Sequence, residues 1–156
     1  MLKILLYIAG SIVVLGLFMF VILSVAAQED TVAKGLSEDG LVFPCGSKPN
    51  CISTTETRDD FKVEPLKLAP GVILDDIVKV IIANDSPEIL DRQENYVSMV
   101  YRTLIFKFPD DIEMTAKDGQ LLVRSQSRAG ESDVGKNRKR FERIKNLLIE
   151  NKLVDS

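Results

Sequence analysis

The sequence predicts an α+β domain of two layers, in which two helices pack on a mainly antiparallel sheet, preceded by one N-terminal transmembrane helix. Three observations predict this architecture. Residues 4–27 contain no charged side chain, segments 72–84 and 134–151 place apolar residues at helical spacing, and alternating apolar strands flank an Asp-Gly turn. Runs of helix and antiparallel strand without a regular βαβ order favour an α+β fold.

The uncharged N-terminal run is 24 residues long, which is enough to cross a bilayer of about 30 Å. The apolar core of a cleaved signal peptide is usually only about 7–15 residues, although the small residues at 24–27 keep cleavage open as an alternative. Lys3 precedes the run, while Glu29 and Asp30 follow it. This charge asymmetry predicts a single-pass protein of the inner (cytoplasmic) membrane whose domain faces the periplasm or the outside. We therefore divide the chain into an anchor (1–27), a tether (28–43) and an extracytoplasmic α+β domain (44–156).

Charge and composition exclude several classes of function. Residues 28–135 carry a net charge of −8, whereas residues 136–156 carry 7 basic and 3 acidic groups. An acidic body with one basic helix argues against a nucleic-acid partner. The basic helix is either a solvated face or a docking surface for anionic lipid or an acidic partner. The chain has no histidine, which excludes Ser-His-Asp triads and His-ligated metals, and no metal or other cofactor is predicted.

Two cysteines, Cys45 and Cys51, lie in a loop rich in proline and glycine. Outside the cytoplasm, a disulfide is the expected state of such a pair. Their spacing is not the Cys-x-x-Cys of a redox catalyst, so we predict a structural bridge.

The remaining elements follow in order along the chain. A short strand is expected near 61–65 between prolines, and a helix at 72–84 ends before Pro87. Strands are predicted at 88–92 and 96–108, with Pro109 ending the second. Segments 111–116 and 120–127 form a hairpin about Asp118-Gly119. Pairing from that turn places Glu113 opposite Arg124 and residue 111 opposite residue 126.

The last helix carries a polar residue inside its apolar stripe. Val134, Phe141, Ile144 and Leu148 form the stripe, and Asn137 lies near its middle. A buried amide requires partners, which we expect in the turn 128–133. Ser132 or Asp133 is expected to cap the first turn of the helix.

Charged and amide side chains concentrate around this hairpin and turn. The candidate site comprises Asp111, Glu113, Arg124, Arg128, Asp133, Asn137 and Arg138. The arginines beside a helix N-terminus favour an anion site, and the carboxylates could act as an acid–base pair. A purely structural network that fixes the strand–turn–helix corner is the alternative.

Three sequence segments carry a resemblance to a known family. They resemble a bacterial and plastid family known as a domain of unknown function, and the resemblance covers about 41–148. The segments are FPCGSKPNCIST, KFPDDIE and VRSQSRAGESDVGKNRKR. Gly46 departs from the proline of the family pattern. The matching residues are Pro49, Asn50, Cys51, Asp110, Asp111, Glu113, Arg124, Ser125, Ser127, Arg128, Gly130, Ser132, Asp133, Gly135, Asn137, Arg138 and Arg140.

The resemblance implies a fold unit but no reaction. We expect a membrane-anchored envelope module that binds a partner protein or a small anionic ligand. The alternatives are a hydrolase-like enzyme that uses Asp111 and Glu113 as acid and base, and an accessory subunit of a membrane complex.

Overall fold

The computed structural model describes residues 2–29, 32–103 and 107–155. The helices are α1 (Leu2–Glu29), α2 (Leu74–Asp85) and α3 (Lys136–Glu150). The strands are β1 (Cys51–Ser53), β2 (Leu66–Lys67), β3 (Glu88–Arg92), β4 (Tyr96–Arg102), β5 (Pro109–Lys117) and β6 (Gln120–Ser127).

All six strands belong to one antiparallel sheet, which confirms the predicted α+β class. The strand order is β1-β6-β5-β4-β3, and β2 also pairs with β6. The sequence did not predict β1. The strand expected at 61–65 is wrong, because that segment makes only one bridge, between Ser53 and Lys62, before β2 begins at Leu66.

The β5–β6 hairpin has the predicted register. Asp118 and Gly119 both have positive φ (51° and 74°), as a type I′ turn requires. Glu113 lies opposite Arg124, and residue 111 opposite residue 126. This register directs the odd-numbered residues of β5 to one face of the sheet and the even-numbered residues to the other.

The predicted long strand 96–108 is shorter in the structure. β4 ends at Arg102, residues 104–106 lie outside the described residues, and Pro109 begins β5 instead of ending β4. On either side of these residues, Lys107 has a φ of 55° and the amide of Phe108 donates to the hydroxyl of Thr103. Proline suits the first position of a strand because it supplies no N–H to the ladder.

Helices α2 and α3 cover one face of the sheet and form the core with it. The apolar side chains buried between these layers include Ile77, Val78, Ile81, Met99, Ile112, Met114, Leu121, Val123, Phe141, Ile144 and Leu148. Asn137, Phe141, Ile144 and Leu148 are the buried residues of α3, as predicted. Val134 is not on that stripe. It precedes the helix with a φ of 53° and is 81% exposed, because the left-handed residues 134 and 135 turn the chain before α3 begins.

The segment 32–43 covers the opposite face of the sheet. The sequence predicts a tether here because the segment has few apolar anchors. In the structure Val42 is buried and bridges to Leu36. The backbone amides of Val32, Lys34 and Gly35 donate to side chains of β5. Polar contacts of the main chain, which apolar spacing does not reveal, hold this segment in place.

Helix α1 is 28 residues long, and most of its described apolar side chains are exposed. One of its residues, Phe20, meets Phe108 edge-on, with 5.5 Å between ring centroids. Among the described residues, no helix combines the length and apolar character that crossing a membrane requires. The transmembrane helix stays a prediction.

Candidate functional site

Three carboxylates of β5 each form a buried ion pair with an arginine. Asp111 and Glu113 point to the face covered by segment 32–43, and Asp110 points to the helix face. The pairs are Glu113–Arg124 (2.6 Å), Asp111–Arg128 (2.7 Å) and Asp110–Arg140. Buried charges of this kind require both a counter-charge and hydrogen bonds to their remaining atoms.

Glu113 has partners on both carboxylate oxygens. Its Oε2 accepts from Arg124 Nη1, and its Oε1 accepts from the amides of Lys34 and Gly35, both at 2.8 Å. The hydroxyl of Tyr96 also donates to Oε1 (2.9 Å). Burial and the adjacent Glu113 charge raise the pKa of Tyr96 well above its usual range. The phenol therefore remains a hydrogen-bond donor to this carboxylate.

Asp111 is held by a two-pronged contact. Arg128 donates from Nη2 (2.7 Å) and Nε (3.0 Å) to its two oxygens, in the geometry that makes arginine–carboxylate pairs strong. The amide of Val32 donates to Oδ2 at 2.7 Å, and Arg124 Nη1 donates to the Val32 carbonyl at 2.9 Å. The main chain of residue 32 therefore bonds to both ion pairs on this face.

Asn137 is the centre of the polar contacts on the helix face. Its Oδ1 accepts from Ser125 Oγ (2.6 Å) and Arg140 Nη1 (2.7 Å), and its Nδ2 donates to the Asn50 carbonyl (2.9 Å) and to Ser127 Oγ (3.2 Å). The prediction that it needs partners is correct, but the partners expected in the turn 128–133 are wrong. β6, the residue before β1 and the next turn of α3 supply them.

Asp110 and Arg140 connect this amide to the start of the central strand β5. Asp110 accepts from Ser127 Oγ and from Arg140, whose guanidinium also lies over the Tyr101 ring at 4.7 Å. Burial, followed by the charge of Asp85, raises the pKa of Tyr101. The sequence analysis did not place Asp110 and Arg140 in the site. Two signals could have indicated them: Asp110 precedes Asp111 and must face the helices, and Arg140 lies one turn after Asn137.

The two remaining candidate residues have local roles. Asp133 accepts from the amides of Gly135 (2.9 Å) and Asn137 (2.7 Å), which is the predicted capping role. Arg138 donates to the carbonyls of Asp60 and Lys62, whereas Arg124 and Arg128 pair with Glu113 and Asp111 on the other face of the sheet. The seven candidate residues therefore lie on both faces of the sheet and do not converge on one pocket.

In this arrangement the charged groups of the candidate site neutralise each other, which leaves few of them available to bind a ligand or to catalyse a reaction. The Arg124 and Arg128 guanidinium groups are compensated by Glu113 and Asp111, so an external anion would have to displace a carboxylate. Asp111 and Glu113 in turn lie buried with an arginine each, without an open cleft between them. Within the described ranges, no group of three or more His, Cys, Asp or Glu side chains could hold a metal ion.

The predicted disulfide joins Cys45 and Cys51, which confirms that pairing. Glu56 fixes the loop, because its Oε2 accepts from the Cys45 amide (3.2 Å) and from Arg58 (2.6 Å). Arg58 donates further to the carbonyls of residues 45 and 46. The side-chain hydrogen bond from Arg58 is the main cause that lowers the pKa of Glu56 from 4.5 to about 2.

Comparison with known families decides what the chain is. The model of a family described as "Protein of unknown function (DUF1499)" matches residues 42–148. The chain belongs to the DUF1499 family. No curated protein and no solved structure matches the chain.

The DUF1499 match includes the whole sheet and nearly all of α3. It also includes the three ion pairs and Asn137. It begins after Val32, Lys34 and Gly35, whose amides complete the bonding of Asp111 and Glu113. The site of this chain therefore extends beyond the residues that define its family.

Proposed function

We propose that this DUF1499 chain is a membrane-attached module of the cell envelope that binds a partner and carries no catalytic site at the β5–β6 corner. One observation carries the proposal: Asp110, Asp111 and Glu113 are each paired with an arginine inside the fold. A general acid or base must reach the substrate and change its protonation state, which a buried, paired carboxylate resists. The pairs favour a structural role over the hydrolase alternative.

The ion pairs also explain how the module is held. Val32, Lys34 and Gly35 follow α1 closely in the chain, and their amides bond to Asp111 and Glu113. A module attached by α1 would thus be held firmly at its N-terminal segment instead of swinging on a flexible linker. Such an arrangement suits a protein that presents one surface at a fixed distance from the membrane.

Membrane attachment itself is supported by the sequence. The uncharged run 4–27, with Lys3 before it and acidic residues after it, favours a single-pass chain whose domain lies outside the cytoplasm. The apolar side chains that α1 exposes would otherwise face water.

The exposed side of α3 is the surface on which we place the partner. Lys136 and Lys139 are exposed there, and the segment 136–156 carries a net charge of +4. A net positive charge on one helix favours an acidic protein surface or an anionic ligand.

Location is tested by labelling engineered cysteines in whole cells. The native cysteines are bonded to each other, so Glu94→Cys in the exposed β3–β4 turn and Leu2→Cys at the start of α1, which keeps Lys3, each supply a new free thiol. A membrane-impermeant maleimide should label position 94 once the outer barrier is opened, and position 2 only after the inner membrane is lysed. Labelling of both positions only after lysis, or recovery of the chain in the alkali-soluble fraction, would overturn the proposal.

Partner binding is tested by affinity purification from detergent, followed by mass spectrometry. Lys139→Glu should reduce retention of the bound species. Lys79→Glu makes the same change on α2 and serves as the control. Equal retention by both variants would show that α3 is a solvated face.

A further inference from the structure

A cavity of about 570 Å³ lies where α1 approaches the start of β5 and the turn between β6 and α3. Its volume is in the range of about 300–1,000 Å³ that is typical of small-molecule sites. Asp110 and Ser127, 3% and 6% exposed, lie at its polar side. Its apolar walls come from Phe20, Phe108, Pro109, Ala129 and Val134.

Val134 is an unusual residue for its position. It has a φ of 53°, in the left-handed region, and it is 81% exposed. A β-branched side chain is strained in this region, and no burial offsets the strain in this case. Gly130 and Gly135 occupy the other left-handed positions of this turn. An exposed, strained valine beside a cavity therefore suggests a contact with a ligand.

One basic side chain at the cavity is available to an anionic ligand. Of the two carboxylates in its lining, Asp110 is paired with Arg140, and Asp133 accepts from two backbone amides. Lys136 lies exposed at the same cavity and forms no ion pair with any described residue. Asp133 carries no ion pair with a described residue, but its oxygens face the amides at the start of α3. Lys136 is therefore the group of this lining that an anionic head group could contact, and the remaining walls are largely apolar.

The position of the cavity indicates where such a ligand would come from. Phe20 belongs to α1, and its neighbours on that helix expose their apolar side chains. The cavity wall is therefore continuous with an apolar helix surface. A ligand with one apolar chain and an anionic head could reach the cavity along this surface without leaving an apolar environment.

We propose that this cavity binds one acyl chain of an anionic phospholipid, with the phosphate beside Lys136. The inference rests on the membrane attachment proposed above. It adds a binding site and a ligand class that the paired residues of the β5–β6 corner do not provide.

Photocrosslinking of the full chain in vesicles tests the site. In one set of vesicles the probe is phosphatidylglycerol with a diazirine on its acyl chain, in unlabelled phosphatidylcholine. In the comparison set, phosphatidylcholine carries the diazirine and phosphatidylglycerol is unlabelled. After irradiation, mass spectrometry quantifies label on peptides that contain residues 108–116 and 129–136, relative to label on α1 peptides. We expect cavity peptides to be labelled by phosphatidylglycerol and much less by phosphatidylcholine.

Val134→Asn is the decisive variant. Asparagine tolerates the left-handed region better than valine, so the variant should fold with equal or higher stability. It loses the apolar contact, and cavity labelling relative to α1 should fall by about fivefold. Ile73→Asn is the control, since Ile73 is also apolar and exposed (60%) but lies at the start of α2, outside the cavity lining. Lys136→Glu should reduce labelling by phosphatidylglycerol and leave labelling by phosphatidylcholine unchanged.

The outcomes separate this inference from the proposed function. Label on α1 without label on the cavity peptides, or cavity label that Val134→Asn leaves unchanged, would overturn the lipid site alone. Equal cavity labelling by both lipids, unaffected by Lys136→Glu, would overturn the anionic head group. A chain that does not remain with the vesicles would overturn membrane attachment and the lipid site together.

Discussion

Replacing Asn137 by alanine should destabilise the domain strongly, although the change removes only a small polar side chain. The side chain is fully buried and makes four hydrogen bonds. Its partners are Ser125, Arg140, the carbonyl of Asn50 and Ser127. The main-chain bond from residue 137 to the Asp133 cap does not depend on the side chain and should persist.

The loss in free energy of unfolding depends on which hydrogen bonds the partners of Asn137 retain. Ser125 Oγ retains a bond from Arg140 (3.3 Å), and the Asn50 carbonyl retains one from the Ser127 amide (3.0 Å). Ser127 and Arg140 both retain their bonds to Asp110. No partner is left without any bond, so each lost bond should cost its net value of about 0.5–1.5 kcal/mol instead of a full desolvation penalty. For four bonds the total is about 2–6 kcal/mol, or roughly 8–24 °C in melting temperature.

Thermal melts of the full chain in detergent, followed by circular dichroism, measure this effect. Asn146→Ala is the matched control, because it makes the same change at an exposed position of the same helix. It should leave stability unchanged or slightly raised, since alanine is the better helix former. A melting temperature for Asn137→Ala within about 2 °C of the Asn146→Ala value would refute the reasoning about the buried amide.

Three further changes test the ion pairs and the loop. Arg128→Ala leaves Asp111 buried without its arginine and should cost about 3–5 kcal/mol in a urea titration, whereas unchanged or higher stability would favour an anion site instead. Reduction of Cys45–Cys51, which closes a short loop, should lower stability by about 2 kcal/mol, and free thiols in freshly isolated protein would contradict the bridge. Because the pKa of Glu56 is lower in the folded chain, its contribution is present above pH 4.5 and is lost as the pH falls towards about 2. Solvent screens the exposed partner Arg58, so we expect the free energy of unfolding to fall by roughly 1–2 kcal/mol over that pH range. Glu56→Gln should remove this pH dependence.

The register of the hairpin could be predicted because a two-residue turn fixes it. Once Asp118 and Gly119 occupy the turn, the pairing of Glu113 with Arg124 follows by counting. The buried Asn137 could be predicted for a similar reason, because helical spacing alone places it among Phe141 and Ile144. In both cases, a regular backbone turns sequence separation into spatial position.

The partners of these residues could not be predicted in the same way. The amides of Val32, Lys34 and Gly35 bond to β5, and a backbone N–H is present in every residue type except proline. No side-chain pattern therefore distinguishes segment 32–43 from a tether. The sequence placed Val134 on the apolar stripe of α3 because the helical spacing of apolar residues extends back to it. The helical backbone begins only after this residue, which has a positive φ.

The bonds between segment 32–35 and β5 also set an order of events during synthesis. Val32 precedes Asp111 by 79 residues. At roughly 5–20 residues per second, the ribosome makes this segment about 4–16 s before the strand that holds it. During that interval its amides can bond only to water or to other partners, and the sheet face remains incomplete.

The same bonds also determine where a truncated fragment of the chain should begin. A fragment that begins at residue 42, where the family match begins, lacks every amide donor from residues 32–35. Of the described partners of Glu113 it would keep Arg124 and Tyr96, and it would leave that face of the sheet open to solvent or to another molecule. A soluble fragment should therefore begin before Val32.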